Sequence, residues 1–208
     1  YMEKKILHKT EPKVYEQTIH KKYRNYKWLM YISIIGLSFM FLSLTFLYFA
    51  DHLGTKQPDI KILPVFYWNT LVLLASSLFI FLSKKHFRED NFTKYKTTLL
   101  FLLGLGILFL VGQISGWLAL FSAGYEFSHH SAAYLYVISG IHALHIIGGL
   151  TYLVYFITKN WKLLDNYATA VVYFTDPVTK SQLNLFSIFW HFLGVMWLYL
   201  LFFFITVG

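Results

Sequence analysis

Five long stretches without a single Asp, Glu, Lys or Arg punctuate the chain, at about 28–50, 62–82, 97–120, 132–157 and 183–207. Each is long enough, at a helical rise of about 1.5 Å per residue, to cross a hydrocarbon core about 30 Å thick. A water-soluble bundle would instead carry a charged stripe along each helix. The pattern predicts an all-α, polytopic membrane protein with five transmembrane helices: an N-terminal tail over 1–27, then one five-helix domain over 28–208. Residues 158–182 form the longest connection and contain the turn-like pair Asp176-Pro177. The first stretch follows a polar lead and is too long for a cleaved signal peptide, so it is read as a retained span.

Composition agrees. Charged residues make up 13% of the 208 residues, about half the share usual in soluble domains. Aromatic residues make up 21%, more apolar surface than a soluble domain of this size buries in one core. The absence of cysteine excludes disulfides, thiolate zinc sites and cysteine-held iron–sulfur clusters.

A net charge of +8 raises the possibility of a nucleic-acid partner, which the distribution of the basic residues argues against. The tail, second loop and fourth loop together hold 16 Lys and Arg, whereas the opposite side holds two, Lys56 and Lys61. Lys and Arg collect on the cytoplasmic side of membrane proteins. The N-terminus is therefore expected inside and Gly208 outside, with the basic residues as an orienting collar and no nucleic acid involved.

Polar side chains within spans are the places to look for chemistry. His142 and His145 share one helical face with Ser139 and Gly149. With His191 they offer three imidazoles, enough in principle for a metal or haem in a stand-alone redox protein. No carboxylate lies in any span to complete such a set, so hydrogen bonding between packed helices is the preferred reading. His52, His129 and His130, with Glu126, sit in outer loops and read as solvated. A pump or coupled transporter normally leaves an ionisable group other than histidine within a span, and none is present. Asn69, Thr70, Ser76, Ser77, Gln113 and Ser115 read as interhelical hydrogen-bonding residues, and Gly104, Gly106, Gly112, Gly116, Gly148 and Gly149 as places where backbones approach. No catalytic, cofactor-binding or metal-ligating residue is assigned.

Two stretches go further. Gly140-Ile141-His142-Ala143-Leu144-His145-Ile146-Ile147-Gly148-Gly149 resembles the G-F-H-G-L-H-V-x-x-G signature of subunit III of the haem–copper (cytochrome c) oxidases. Trp190-His191-Phe192-Leu193-Gly194-Val195-Met196-Trp197 resembles that family's W-H-F-V-D-V-V-W. Trp68-Asn69-Thr70-Leu71-Val72-Leu73-Leu74-Ala75-Ser76-Ser77 is similar to its L-N-T-x-L-L-L-x-S-S, and Gln113 stands where the family has glutamine. The motifs fall in family order and the resemblance extends from Trp28 to Gly208.

The resemblance implies the short, five-helix bacterial form, matching the last five of the family's usual seven helices. It implies a non-catalytic subunit of a respiratory terminal oxidase in a bacterial inner membrane, in a complex that reduces oxygen to water and translocates protons. Such a chain packs against subunits I and II and sustains proton uptake by subunit I. It can hold structural phospholipids and join a respiratory supercomplex, while haem and copper reside in partner subunits. Quinol oxidases and nitric oxide reductases have related chains, so the electron donor is left open. Asn69, Thr70, Gln113, His142, His145, Gly149, Trp190, His191 and Trp197 are the expected helix-packing core. Three family carboxylates are absent: none occurs in Ile32-Ser33-Ile34-Ile35-Gly36, and Gly116 and Gly194 stand at the other two positions. Direct proton relay by this chain is not expected, nor is the full lipid cleft that the first two family helices help to form.

Overall fold

The computed structural model describes residues 2–207 except 55–62, 126–129 and 162–166, with side chains described from Tyr23 onward apart from His130, Tyr167 and Ala168. Among the described residues there are six α-helices and no strands: α1 (Met2–Gly54), α2 (Pro64–Arg88), α3 (Phe92–Ser122), α4 (His130–Trp161), α5 (Tyr167–Thr175) and α6 (Pro177–Val207). Five of them are long and apolar enough to cross a membrane, namely all but α5.

The helices outrun the apolar stretches that signal them. In α1 the backbone stays helical through the polar lead from Met2, adding roughly 40 Å of rod to the apolar part. Side-chain chemistry sets the other ends. Pro64 opens α2 at a position where the missing N–H costs nothing. Glu89, Asp90 and Asn91 turn the chain back on itself, with Asp90 at φ 52°, in the left-handed region that Asp tolerates better than most residues. Asn91 then caps α3 by accepting from the Lys94 N–H at 3.1 Å. The turn also holds Glu89 close to Lys85 (3.8 Å) and His86 (3.3 Å).

The long connection expected over 158–182 contains α5, a nine-residue helix too short to register as a span. Asp176-Pro177 marks the start of α6. The Asp176 carboxylate accepts from the N–H of Val178 (3.1 Å), the N–H of Thr179 (2.9 Å) and the Thr179 hydroxyl (2.6 Å), an N-cap with proline at the first helical position. Tyr173 anchors α5, its hydroxyl 3.2 Å from that of Tyr95 on α3. Burial pushes the Tyr173 phenol up to about 12, so it remains protonated and able to share that hydrogen bond.

Helices α4 and α6 form the inside of the bundle. Of the most apolar 18 residues in each, 44% are buried, against 17% in α1. Helix α6 packs on α1, α2, α4 and α5, and α3 closes the bundle by joining α2 to α4. The exposed residues of the long helices are large and apolar, among them Ile35, Phe39, Leu78, Leu118, Val195 and Phe202. That distribution is the inverse of a soluble bundle and suits a hydrocarbon solvent.

Candidate functional site

Five helices converge on one layer of aromatic and small polar side chains, and the indoles hold it together. Trp197 on α6 donates its Nε1–H to the Thr70 hydroxyl on α2 at 3.0 Å, and Trp190 donates likewise to Ser76 at 3.0 Å. Trp117 on α3 donates to Ser139 on α4 at 2.9 Å. Each accepting hydroxyl passes its own hydrogen to a carbonyl of its own helix: Thr70 to Phe66, Ser76 to Leu73 and Ser139 to Leu135. Every indole N–H in this set therefore has an acceptor without any helix losing its ladder. The Thr45 and Tyr199 hydroxyls, 2.7 Å apart, tie α1 to α6 in the same way.

His142 occupies the centre of this layer and is wholly buried. Its ring packs against Trp197 (centroids 5.5 Å apart), Phe109 (6.2 Å) and Phe41 (6.2 Å), drawing in α6, α3 and α1. Neither ring nitrogen has a hydrogen-bond partner among the described residues. Among the described residues the expected hydrogen bonding is not found at His142, whose ring packs instead on the rings of Phe41, Phe109 and Trp197. His145 is different: its Nδ1 bonds the Ile141 carbonyl of its own helix at 2.8 Å while the ring packs edge-on to Phe41 at 6.1 Å.

Asn69 reaches across to the Phe109 carbonyl with its Nδ2–H at 3.4 Å. It can do so because Gly112 leaves the space free; a Cβ there would collide with the Asn69 amide. Gly116 admits Phe66 and Val65 of α2, Gly106 admits Leu150 and Trp190, and Gly149 admits Phe189 and Trp190. Gly36, Gly104, Gly140 and Gly148 face open space, so the backbone approach expected at Gly104 and Gly148 does not occur there. Gln113 is buried, with neither amide atom partnered among the described residues, between the Phe109 and Trp117 rungs. Ser115, expected to bond between helices, is exposed and returns its hydrogen to Val111 of its own helix.

Of the nine residues singled out from sequence, the structure brings Asn69, Thr70, Gln113, His142, His145, Gly149, Trp190 and Trp197 into or beside this layer. His191 is the exception. It is exposed on the outer side of α6, because Trp190 takes the inward position and the next residue is turned by about 100°. The three span histidines therefore do not converge, and no group of three His, Cys, Asp or Glu among the described residues could hold a metal ion. His129 and the His130 side chain lie outside the described residues. Sequence reading missed Phe41, Phe109 and Trp117. The i, i+4, i+8 spacing of Phe109, Gln113 and Trp117 on α3 was the available signal.

Next to the layer lies a space of about 20 Å³ bordered by Phe66, Leu135, Ser139, Trp197 and Leu200, room for one water and not for a substrate. The arrangement is suited to holding helices at fixed distances.

Two curated relatives resemble the chain. One, named cytochrome c oxidase subunit 3, from Bacillus sp. (strain PS3), is 24% identical over 205 residues, covering 96% of this chain and 94% of the relative. A protein of the same name from Alkalihalophilus pseudofirmus is 23% identical over 150 residues, covering 71% of this chain and 68% of the relative. No family model matches.

Proposed function

We propose that this chain is the third subunit of a respiratory haem–copper oxidase, a multi-pass component of a bacterial cytoplasmic membrane that supports the catalytic subunit and carries no redox group itself. The observation that carries this reading is the end-to-end match to a relative named cytochrome c oxidase subunit 3, which spans 96% of the chain. The aromatic and hydroxyl layer supports it: the family-like motif residues Asn69, Thr70, His142 and Trp197 meet across helices as a shape-determining set. In this reading the N-terminus lies on the cytoplasmic side, where 16 of the 18 Lys and Arg gather. Subunits I and II supply haem and copper, and phospholipids fill the remaining grooves. The electron donor, cytochrome c or quinol, is a property of those partners.

The spans hold no Asp, Glu, Lys or Arg within their apolar stretches, so support of proton uptake acts through packing against the catalytic subunit, not through a relay in this chain. Affinity purification of the tagged chain in mild detergent tests the proposal. A haem- and copper-containing subunit recovered in fixed ratio supports it. Recovery of the chain alone from a membrane that contains an active oxidase refutes it.

A further inference from the structure

Gln113 and His142 are 1% and 0% exposed, and among the described residues both amide atoms of one and both ring nitrogens of the other lack a hydrogen-bond partner. They belong to facing helices, and the packing sets them at one level. Helices α3 and α4 run antiparallel, joined by Trp117 on Ser139 (2.9 Å) and by Leu150 at Gly106. Four residues back from Trp117 and four on from Ser139 pair Gln113 with Ala143, and seven on from Gly106 and seven back from Leu150 give the same pairing. His142 adjoins Ala143. Its ring lies 6.2 Å from that of Phe109, which is one turn from Gln113 on the same face of α3.

The neighbouring polar groups are already engaged. Thr70 and Ser139 each accept an indole N–H and give their own hydrogen to a carbonyl, and the Asn69 Nδ2–H goes to the Phe109 carbonyl. Toward Gly106 the α3 and α4 contact turns apolar, with Leu150 and Trp190 over the glycine. Toward Ser139 it is looser. The space of about 20 Å³ there is bordered by Ser139 and Trp197, the first one turn before His142 and the second packed on its ring at 5.5 Å. A buried amide and imidazole left without partners are costly.

The four atoms include donors and acceptors, so a matching ligand is small, neutral and both at once. An anion would find no Lys or Arg in the apolar stretches, and a metal ion would find no set of three ligands among the described residues. An apolar ligand would leave all four atoms as they are. We propose that Gln113 and His142 hold one water molecule between α3 and α4 at the centre of the bundle. With two hydrogens and two lone pairs, the water bridges amide and imidazole in either tautomer of the histidine. It ties α3 to α4 one turn from the Trp117 and Ser139 bond. The site rests on the packing of the bundle itself and requires no oxidase partner.

The test is hydroxyl-radical footprinting of the full-length chain in nanodiscs, driven by X-ray pulses. Radiolysis of a bound water oxidises the side chains beside it even when bulk water does not reach them. In the wild type, oxidation is expected at His142 and Trp197 and not at Trp190, an indole buried to the same 3% exposure but bonded to Ser76. Gln113→Leu and His142→Phe each remove one side of the bridge. Each is expected to abolish oxidation of Trp197 and to raise the unfolding equilibrium constant in detergent about tenfold, since the other polar group is left unpartnered. The double variant removes both groups and is expected to be no less stable than either single one. Unoxidised His142 and Trp197 in the wild type overturn the proposal, and this is also the result if the two side chains bond each other directly. Equal oxidation of Trp190 and Trp197 overturns it as well, because it marks opening of the bundle to bulk water. So do losses of stability that multiply in the double variant, which mark two independent sites. If a variant fails to fold, the wild-type footprint decides by itself.

Discussion

His142 and His191 are both span histidines in motif-like stretches, yet their surroundings are opposite. His142 is enclosed by Phe41, Phe109 and Trp197 with neither nitrogen bonded. His191 is exposed on the outside of the bundle. The same side chain acts as a flat, ring-shaped packing unit in one place and as a polar surface group in the other. What separates them is the face of the helix each occupies, which a motif read along the chain does not reveal. The central layer derives its strength from indole-to-hydroxyl bonds and ring contacts, whereas the face around His191 is exposed and continues through Val195, Leu198 and Phe202.

Substitutions that probe this contrast should differ widely in effect. The largest is expected at Trp197, which contacts His142, Phe109 and Phe66 and bonds Thr70. Trp197→Ala should destabilise the bundle by about 3–5 kcal/mol through the lost aromatic volume, read as a shift in denaturant-induced unfolding in detergent. Gly112→Ala should follow, at about 1–3 kcal/mol, because the added methyl collides with Asn69 in a packed interface. Trp190→Phe keeps most of the ring and loses the bond to Ser76; its cost should be about 1 kcal/mol, in the range of interhelical hydrogen bonds in membranes. The smallest is His191→Ala, expected within about 0.5 kcal/mol as for other exposed positions. An effect at His191 as large as that at Trp197 would erase the distinction between the two regions.

Much of the architecture was legible in the sequence, because hydropathy over a span is a property of length. Each of the five uncharged stretches coincides with a long helix, the second from Pro64 onward. The short helix α5 was not legible, since Tyr167–Thr175 is apolar but far below spanning length. The continuation of α1 through Met2–Lys22 was not legible either, because polar residues leave no hydropathic trace of a helix. At the candidate site, Ser139, His142 and Gly149 share an inward face as their spacing implied. Ser115 and His191 were misplaced for a common reason: composition records that a polar residue is in a span, and only the packing of neighbours decides whether it faces a helix or the outside. That His142 and Gln113 find no hydrogen-bond partner among the described residues could not be read from sequence, as it depends on which side chains of other helices arrive opposite them.

The central claim is that this bundle supports a redox partner and holds none of the redox groups. The most direct test is the visible absorption spectrum of the purified complex carrying His142→Leu, His145→Leu and His191→Leu in this chain, with haem quantified per catalytic subunit. Unchanged haem per catalytic subunit, with less of the variant chain recovered in the complex, is the expected result. Loss of haem in proportion to the variant chain would contradict the account and make these histidines ligands.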